Sequence, residues 1–394
     1  MKSRLIACSV FILVTFGVVA QQSDSQLQTY LAQFEKATPP VKLQILRSAG
    51  DQPAEQMGPL YRKGLEYVVS NAPSLATDNV LQNMLTVSLE GAVNGNYKPA
   101  VGPLWSLFDV YDETTMRIRI LRALGQMGTG DQGTVTLLNR WVMAQNNLFR
   151  AGTTPDLQVM SQAVKTLGIL NDPSSFNVLM DVIITQYSTA ISDAARTALY
   201  GLPGDVVEMA VNAIHGRDVP GKLQALDFLL GEEKISADQN ARIAAAALQD
   251  AVTADASSIE NQDARRQLRI RAAAVVREAG YSQATPAMIQ AFNQTYRDYD
   301  TGRVKREWFL DMIAGLGAME TDAASDRLVT FLDMMNNYTE HGKPVDERVA
   351  LAVVTNLGIL GRASAYNSLF YATLLDYSAR VKTAAKEALD KLQQ

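Results

Sequence analysis

The chain has 394 residues, with 36 Lys+Arg against 41 Asp+Glu, a formal net charge of −5 and a pI near 5.3. Hydrophobic residues at 47% and charged residues at 20% exclude wholesale disorder, and the acidic balance argues against broad affinity for phosphate backbones. Two His and one Cys leave neither a disulfide framework nor a zinc ribbon.

In chain order, the first element is an address. Lys2 and Arg4 form a basic start, residues 5–19 are apolar or small, and Val18-Val19-Ala20 precedes the abruptly polar Gln21-Gln22-Ser23-Asp24. That order predicts a secretory signal peptide over residues 1–20. The alternative is an uncleaved membrane anchor, disfavoured because the apolar run is shorter than the ~20 residues that span a bilayer. Cleavage after Ala20 removes Cys8, Lys2 and Arg4, taking the net charge from −5 to −7. The mature chain is therefore expected to be exported, to the periplasm where the host has two membranes, with no stable membrane insertion.

Residues 21–38 follow as an N-terminal capping helix, polar with a narrow stripe of Leu27, Tyr30, Leu31 and Phe34. From there helical spacing recurs, while alternating β-branched runs bounded by hairpin turns are nearly absent. Phe176, Leu179, Met180, Ile183, Ile184 and Tyr187 form one stripe, and Val304, Trp308, Phe309, Met312, Ile313 and Leu316 form another. Asp172-Pro173 and Thr285-Pro286 read as an N-cap followed by proline at the first helical position.

Four segments share a local pattern: LRALGQM (121–127), VKTLGIL (164–170), IAGLGAM (313–319) and VTNLGIL (354–360). Each is expected to end its helix at the glycine, in a left-handed C′ conformation. Weaker copies at Gly50, Gly91, Gly201, Gly231 and Gly280 give a mean spacing near forty residues and about nine two-helix units. The last unit is the fullest, with DERVALAVVTNLGIL (346–360), ASAYNSLFYATLLD (363–376) and SARVKTAAKEALDKL (378–392). This pattern resembles HEAT-repeat proteins, including the bacterial HEAT-like repeats of phycobilisome lyases. Val381 stands at the family's Val position, Lys382 replaces its Arg, and residues 346–349 invert the order; Asp193 to Arg196 is a looser copy. The resemblance implies an all-α fold, an α-solenoid of about nine HEAT-like helix-pair repeats. With no Gly-, Ser- or Pro-rich linker, residues 39–394 are expected to form one continuous domain, its last helix capping.

Chemistry is thinly signalled. Gly128-Thr129-Gly130-Asp131-Gln132-Gly133 spells G-x-G-x-x-G, but it follows a helix rather than a strand and reads as an interhelix turn. Asp298 to Gly302 lacks the glycine and glutamate positions of an EF-hand. His215 and His341 have no ligand-spaced neighbours, and no nucleophile elbow is present. Arg265, Arg266, Arg269 and Arg271, then Arg303, Lys305 and Arg306, read mainly as packing cations, with an anionic partner site as the alternative.

Two polar interruptions, 145–156 and 336–346, overrun what a tight turn needs. Leu148, Phe149, Tyr338 and His341 are their candidate partner-binding residues. The sequence thus predicts an exported non-enzymatic repeat scaffold that binds a protein partner, with no catalytic residue, metal or cofactor and no nucleic-acid partner. Two alternatives stay open: a helical-scaffold hydrolase or lyase acting on carbohydrate or lipid, and a binder of a small hydrophobic ligand between repeats.

Overall fold

A computed structural model describes residues 25–254 and 258–392; the expected signal peptide lies outside them. Among the described residues there is no strand, and the chain is built from 21 α-helices with short 3-10 turns. It divides into two compact units that meet in sequence at the turn Gly204–Asp205.

The first unit holds α1 (25–36), α2 (Pro39–Ser48), α3 (Ala54–Ser70), α4 (Ala72–Leu75), α5 (Asn79–Asn94), α6 (Val101–Val110), α7 (Thr114–Met127), α8 (Gln132–Arg150), α9 (Leu157–Leu170), α10 (Phe176–Thr185) and α11 (Thr189–Gly201). The second holds α12 (Val206–His215), α13 (Val219–Leu230), α14 (Ala237–Thr253), α15 (Ile259–Glu278), α16 (Thr285–Asp300), α17 (Arg306–Gly317), α18 (Asp322–Glu340), α19 (Glu347–Leu360), α20 (Tyr366–Leu374) and α21 (Ala379–Leu392). The helices start where Asp, Ser, Thr or Glu side chains take up free N–H groups. Asp78, Glu113, Asp131, Asp156, Asp205, Thr321 and Asp346 all do so, and Ser236 with Gln239 forms a capping box. Asp172 caps as the sequence predicts, but Thr285 is already inside α16, its hydroxyl bonded back to the Ser282 carbonyl.

Within each unit, helices pack on their neighbour and on the helix after next. In the first unit α3, α5, α7, α9 and α11 form one row, and α8 packs on α10. In the second, α13, α15, α17, α19 and α21 form one row and α12, α14, α16, α18 and α20 the other. This is the all-α, stacked helix-pair arrangement of an α-solenoid. The two apolar stripes named above supply core: Phe176, Leu179, Met180 and Ile183, and Phe309, Met312, Ile313 and Leu316, are all buried.

The glycines of the repeated motif are not caps. Gly125, Gly168, Gly317 and Gly358 all sit inside their helices, and none has a positive φ. They face the next helix of the same row. A Cβ on Gly168 would stand 3.1 Å from the Ala198 Cβ, and one on Gly358 would stand 2.8 Å from the Ala388 Cβ. Glycine here lets two helix backbones approach. The left-handed residues come three positions later, at Asn171 (φ 52), Glu320 (φ 54) and Gly361 (φ 62).

The units also share a longer register. Residues 131–202 align with 321–392 without insertion or deletion, and Asn146/Asn336, Gly152/Gly342, Asp156/Asp346, Leu167-Gly168-Ile169-Leu170/Leu357-Gly358-Ile359-Leu360 and Tyr187-Ser188/Tyr377-Ser378 are identical. The helices α8 to α11 and α18 to α21 start and end in step. The end of each unit is thus one structure written twice, and each residue in one copy can be compared with its counterpart.

Candidate functional site

That comparison isolates α20. Its inward face, Ala365, Ser368, Leu369 and Ala372, is buried. Its outward face is apolar as well: Tyr366 is 41% exposed, Phe370 48%, Leu374 63% and Tyr371 37%. In the first copy the counterparts Phe176 and Met180 are 2% and 0% exposed. A stripe whose equivalent is core in one copy is therefore open in the other. Spacing at i, i+4 and i+8 runs it about 12 Å along the helix, and the Tyr366 and Phe370 rings lie parallel with centroids 6.3 Å apart.

The face is held rigidly on α18. Asn336 Nδ2 donates to the Ser368 carbonyl at 3.0 Å, Ser368 Oγ donates to Asp333 Oδ1 at 2.5 Å, and the Tyr371 hydroxyl donates to Glu340 Oε1 at 2.7 Å. The Glu340 hydrogen bond and then burial push the Tyr371 hydroxyl up from its ordinary value. Asp333 and Glu340 also make the α18 edge of the face acidic. Contiguous apolar side chains rimmed by polar ones mark protein contact surfaces.

The residues predicted from sequence fall elsewhere. Leu148 and Phe149 are not in a loop: α8 continues to Arg150 because Asn146 is buried and Phe149 packs on Tyr187 with ring centroids 4.5 Å apart. Asn146 Oδ1 accepts from the Tyr187 hydroxyl at 2.9 Å, and burial pushes that hydroxyl up to about 12 against the opposing pull of Arg150. Leu148 itself is exposed. Tyr338 lies in α18, with the Lys343 ammonium 5.2 Å from its ring centroid, and His341 is the C-cap of that helix, bonded through Nδ1 to the Asn337 carbonyl. The two expected loops are the same place in the two copies, and each shrinks to the six residues 151–156 or 341–346. The four residues belong to different units and form no single site.

The basic cluster packs. Arg269 is fully buried, with Nη2 2.5 Å from Asp298 Oδ2 and Nη1 2.9 Å from Gln294 Oε1. Arg271 pairs with Asp227 and Arg306 with Asp346. His215 closes α12 and lies 2.8 Å from Asp250, which also pairs with Lys222. Among the described residues no group of three His, Cys, Asp or Glu is placed to hold a metal ion, and no helix is long and apolar enough to cross a membrane.

No family model matches the chain, and no curated protein matches it. Among solved structures it is similar to human deoxyhypusine hydroxylase in complex with glycerol, at 17% identity and a TM-score of 0.28, over 85% of this chain and 97% of that one. The matched protein is an enzyme by name, which corrects the expectation of a non-enzymatic scaffold. That expectation rested on architecture alone. A helical stack fixes only a backbone, and chemistry depends on the side chains set upon it.

Proposed function

We propose that the protein engages a partner protein through the outward face of α20. The occupant is an amphipathic helix that lays an apolar stripe along Tyr366, Phe370 and Leu374 and turns basic residues toward Asp333 and Glu340. The observation that supports this reading is the exposure of those side chains where their counterparts in the first copy are buried. The reading concerns docking and holds whether or not the chain also catalyses a reaction.

The test is the double variant Phe370→Glu/Leu374→Glu. Both positions are exposed, so the thermal midpoint should stay within the ordinary range of surface substitutions. The native-size complex formed in cell extract should dissociate to the bare chain. A double variant that stays in the same complex as the parent contradicts the proposal.

Two further readings rest on sequence. We infer membership of the HEAT-like repeat family from the Leu-Gly motifs and the helix-pair stacking. We infer export from the basic, apolar and small order of residues 1–20; N-terminal sequencing of the protein from its native host should then begin at Gln21, and a chain beginning near Met1 contradicts it.

A further inference from the structure

The duplicated register also shows where the first unit departs from the second. Between the start of α6 and the α7–α8 turn lies a cleft of about 510 Å³. Pro99, Val101, Trp105, Met127 and Leu137 give it apolar walls. Phe108 backs the Trp105 indole, with ring centroids 5.1 Å apart. Lys98 is the one cation among the lining residues, its ammonium 3.4 Å from the Thr129 carbonyl. The lining carboxylate, Asp131, is turned to its own helix, where it accepts from the Thr134 amide at 3.0 Å and from the Thr134 hydroxyl at 2.5 Å.

Glycines keep the cleft open. Gly102 lies in α6 and Gly133 in α8, where alanine favours the helix more. A Cβ on Gly102 would meet no atom within 4 Å, and one on Gly133 would come no closer than 3.5 Å to Asp131. Neither glycine is required by packing within the chain, unlike Gly168 and Gly358. Gly130 has φ 81 and open space around it. In the second copy, the positions matching Gly130 and Gly133 are Glu320, which is also left-handed, and Ala323. The 3-10 turns before α6 and α16 match Lys98 with Ser282, Gly102 with Pro286 and Trp105 with Ile289. The ring, the cation and the bare backbone thus occur together in one copy and are all replaced in the other.

A second, larger depression of about 840 Å³ runs along α1 and α2. It is shallow, and its residues Ser25, Gln28, Thr29, Gln33 and Lys36 offer no aromatic wall.

We propose that the cleft of the first unit binds a small aryl anion, its ring against Trp105 and its negative group at Lys98. Apolar walls with a single charged group at one edge bind and orient such a ligand, and glycines allow it to reach the main chain.

The probe is 8-anilinonaphthalene-1-sulfonate, with uncharged N-phenyl-1-naphthylamine as its partner, titrated into the full chain and followed by fluorescence. The sulfonate should saturate one site and quench tryptophan emission. Lys98→Gln should weaken the sulfonate about fivefold or more and leave the uncharged probe unchanged. The double variant Gly102→Ala/Gly133→Ala should weaken both probes about tenfold or more, with a thermal midpoint equal to or above the parent's. Phe370→Glu, on α20, should change neither. No saturable binding, parent-like binding by the double glycine variant, or loss of binding with Phe370→Glu would each overturn the site. Equal response of both probes to Lys98→Gln would overturn its preference for anions.

Discussion

Substituting alanine for the motif glycines should have opposite effects at two positions that look alike in sequence. At Gly125 the nearest atom to a new Cβ is the Thr166 Cγ2 at 3.4 Å, an ordinary contact. Gly125→Ala should therefore collect most of the helix-propensity gain and stabilise by about 0.5–1 kcal/mol. At Gly358 the Cβ would stand 2.8 Å from the Ala388 Cβ and 3.0 Å from its Cα, and the Cα is backbone that cannot turn away. Overpacking of this kind costs about 1–3 kcal/mol, which exceeds the propensity gain and leaves a net loss of about 1–2 kcal/mol. Gly168→Ala, 3.1 Å from Ala198, should fall between them. The assay is urea unfolding followed by circular dichroism, and Ala388→Gly should restore Gly358→Ala by removing the opposing methyl. If these glycines were left-handed caps, alanine would destabilise by about 1 kcal/mol at all three positions. Equal signs at 125 and 358, or no rescue by Ala388→Gly, would refute the close-approach reasoning.

Arg269→Met should cost about 3 kcal/mol or more, because it leaves Asp298 partly buried without its main cation, and the unfolding midpoint measures it. Stability should fall on acidification. Burial pushes Asp346 up, but hydrogen bonds from Tyr299, Arg306 and the Val349 and Arg348 amides outweigh it and hold the carboxyl below its ordinary value. With the folded pKa depressed, this contribution is complete above the unfolded value near 3.9 and is lost as pH falls through the folded one; Asp346→Asn should flatten that part of the acid-unfolding profile. Phe370→Glu/Leu374→Glu should weaken partner binding by about 30-fold or more. Burying the open half of each side chain is worth about 1–1.5 kcal/mol, and two such losses approach 2–3 kcal/mol. Tyr187→Phe should destabilise by about 1–3 kcal/mol, since it leaves the buried Asn146 carbonyl without its donor, and it should remove a tyrosine that titrates near 12 in the ultraviolet.

The helices and their order were legible in the sequence because amphipathic spacing and Asp, Ser and Thr caps are local signals. Where one glycine sits relative to its helix end was not. Leu-Gly followed by an apolar residue looks like a C-terminal stop, yet the same glycine serves two backbones packed face to face, and the partner methyls at Ala198 and Ala388 lie some thirty residues away. The polar run Gln145-Asn146-Asn147 looks like a loop, but Asn146 is buried and hydrogen-bonded, so α8 continues through it. Both misplacements put the predicted contact residues at the ends of α8 and α18.

The α20 face carried a readable signal. YNSLFYATL is apolar on nearly all sides, and a helix of nine residues with one buried face leaves the other uncovered. What sequence pattern alone does not reveal is which of two similar helices is covered, since FNVLMDVIIT in α10 is just as apolar. The departure of Gly102, Gly130 and Gly133 from the second copy was in the sequence too, hidden because the Leu-Gly motifs of α7 and α17 sit at different distances from the turns that follow them.

The most direct test of the α20 docking face places a photo-crosslinking benzoylphenylalanine at position 370 in the native cell, with one at exposed Val110 as the comparison. The proposal predicts a crosslink from position 370 to an amphipathic helical segment of another protein that carries basic residues beside its apolar stripe, and none to that segment from position 110. A crosslink from position 370 into a second copy of this chain, into a segment without helical apolar spacing, or into the same segment from both positions would contradict it.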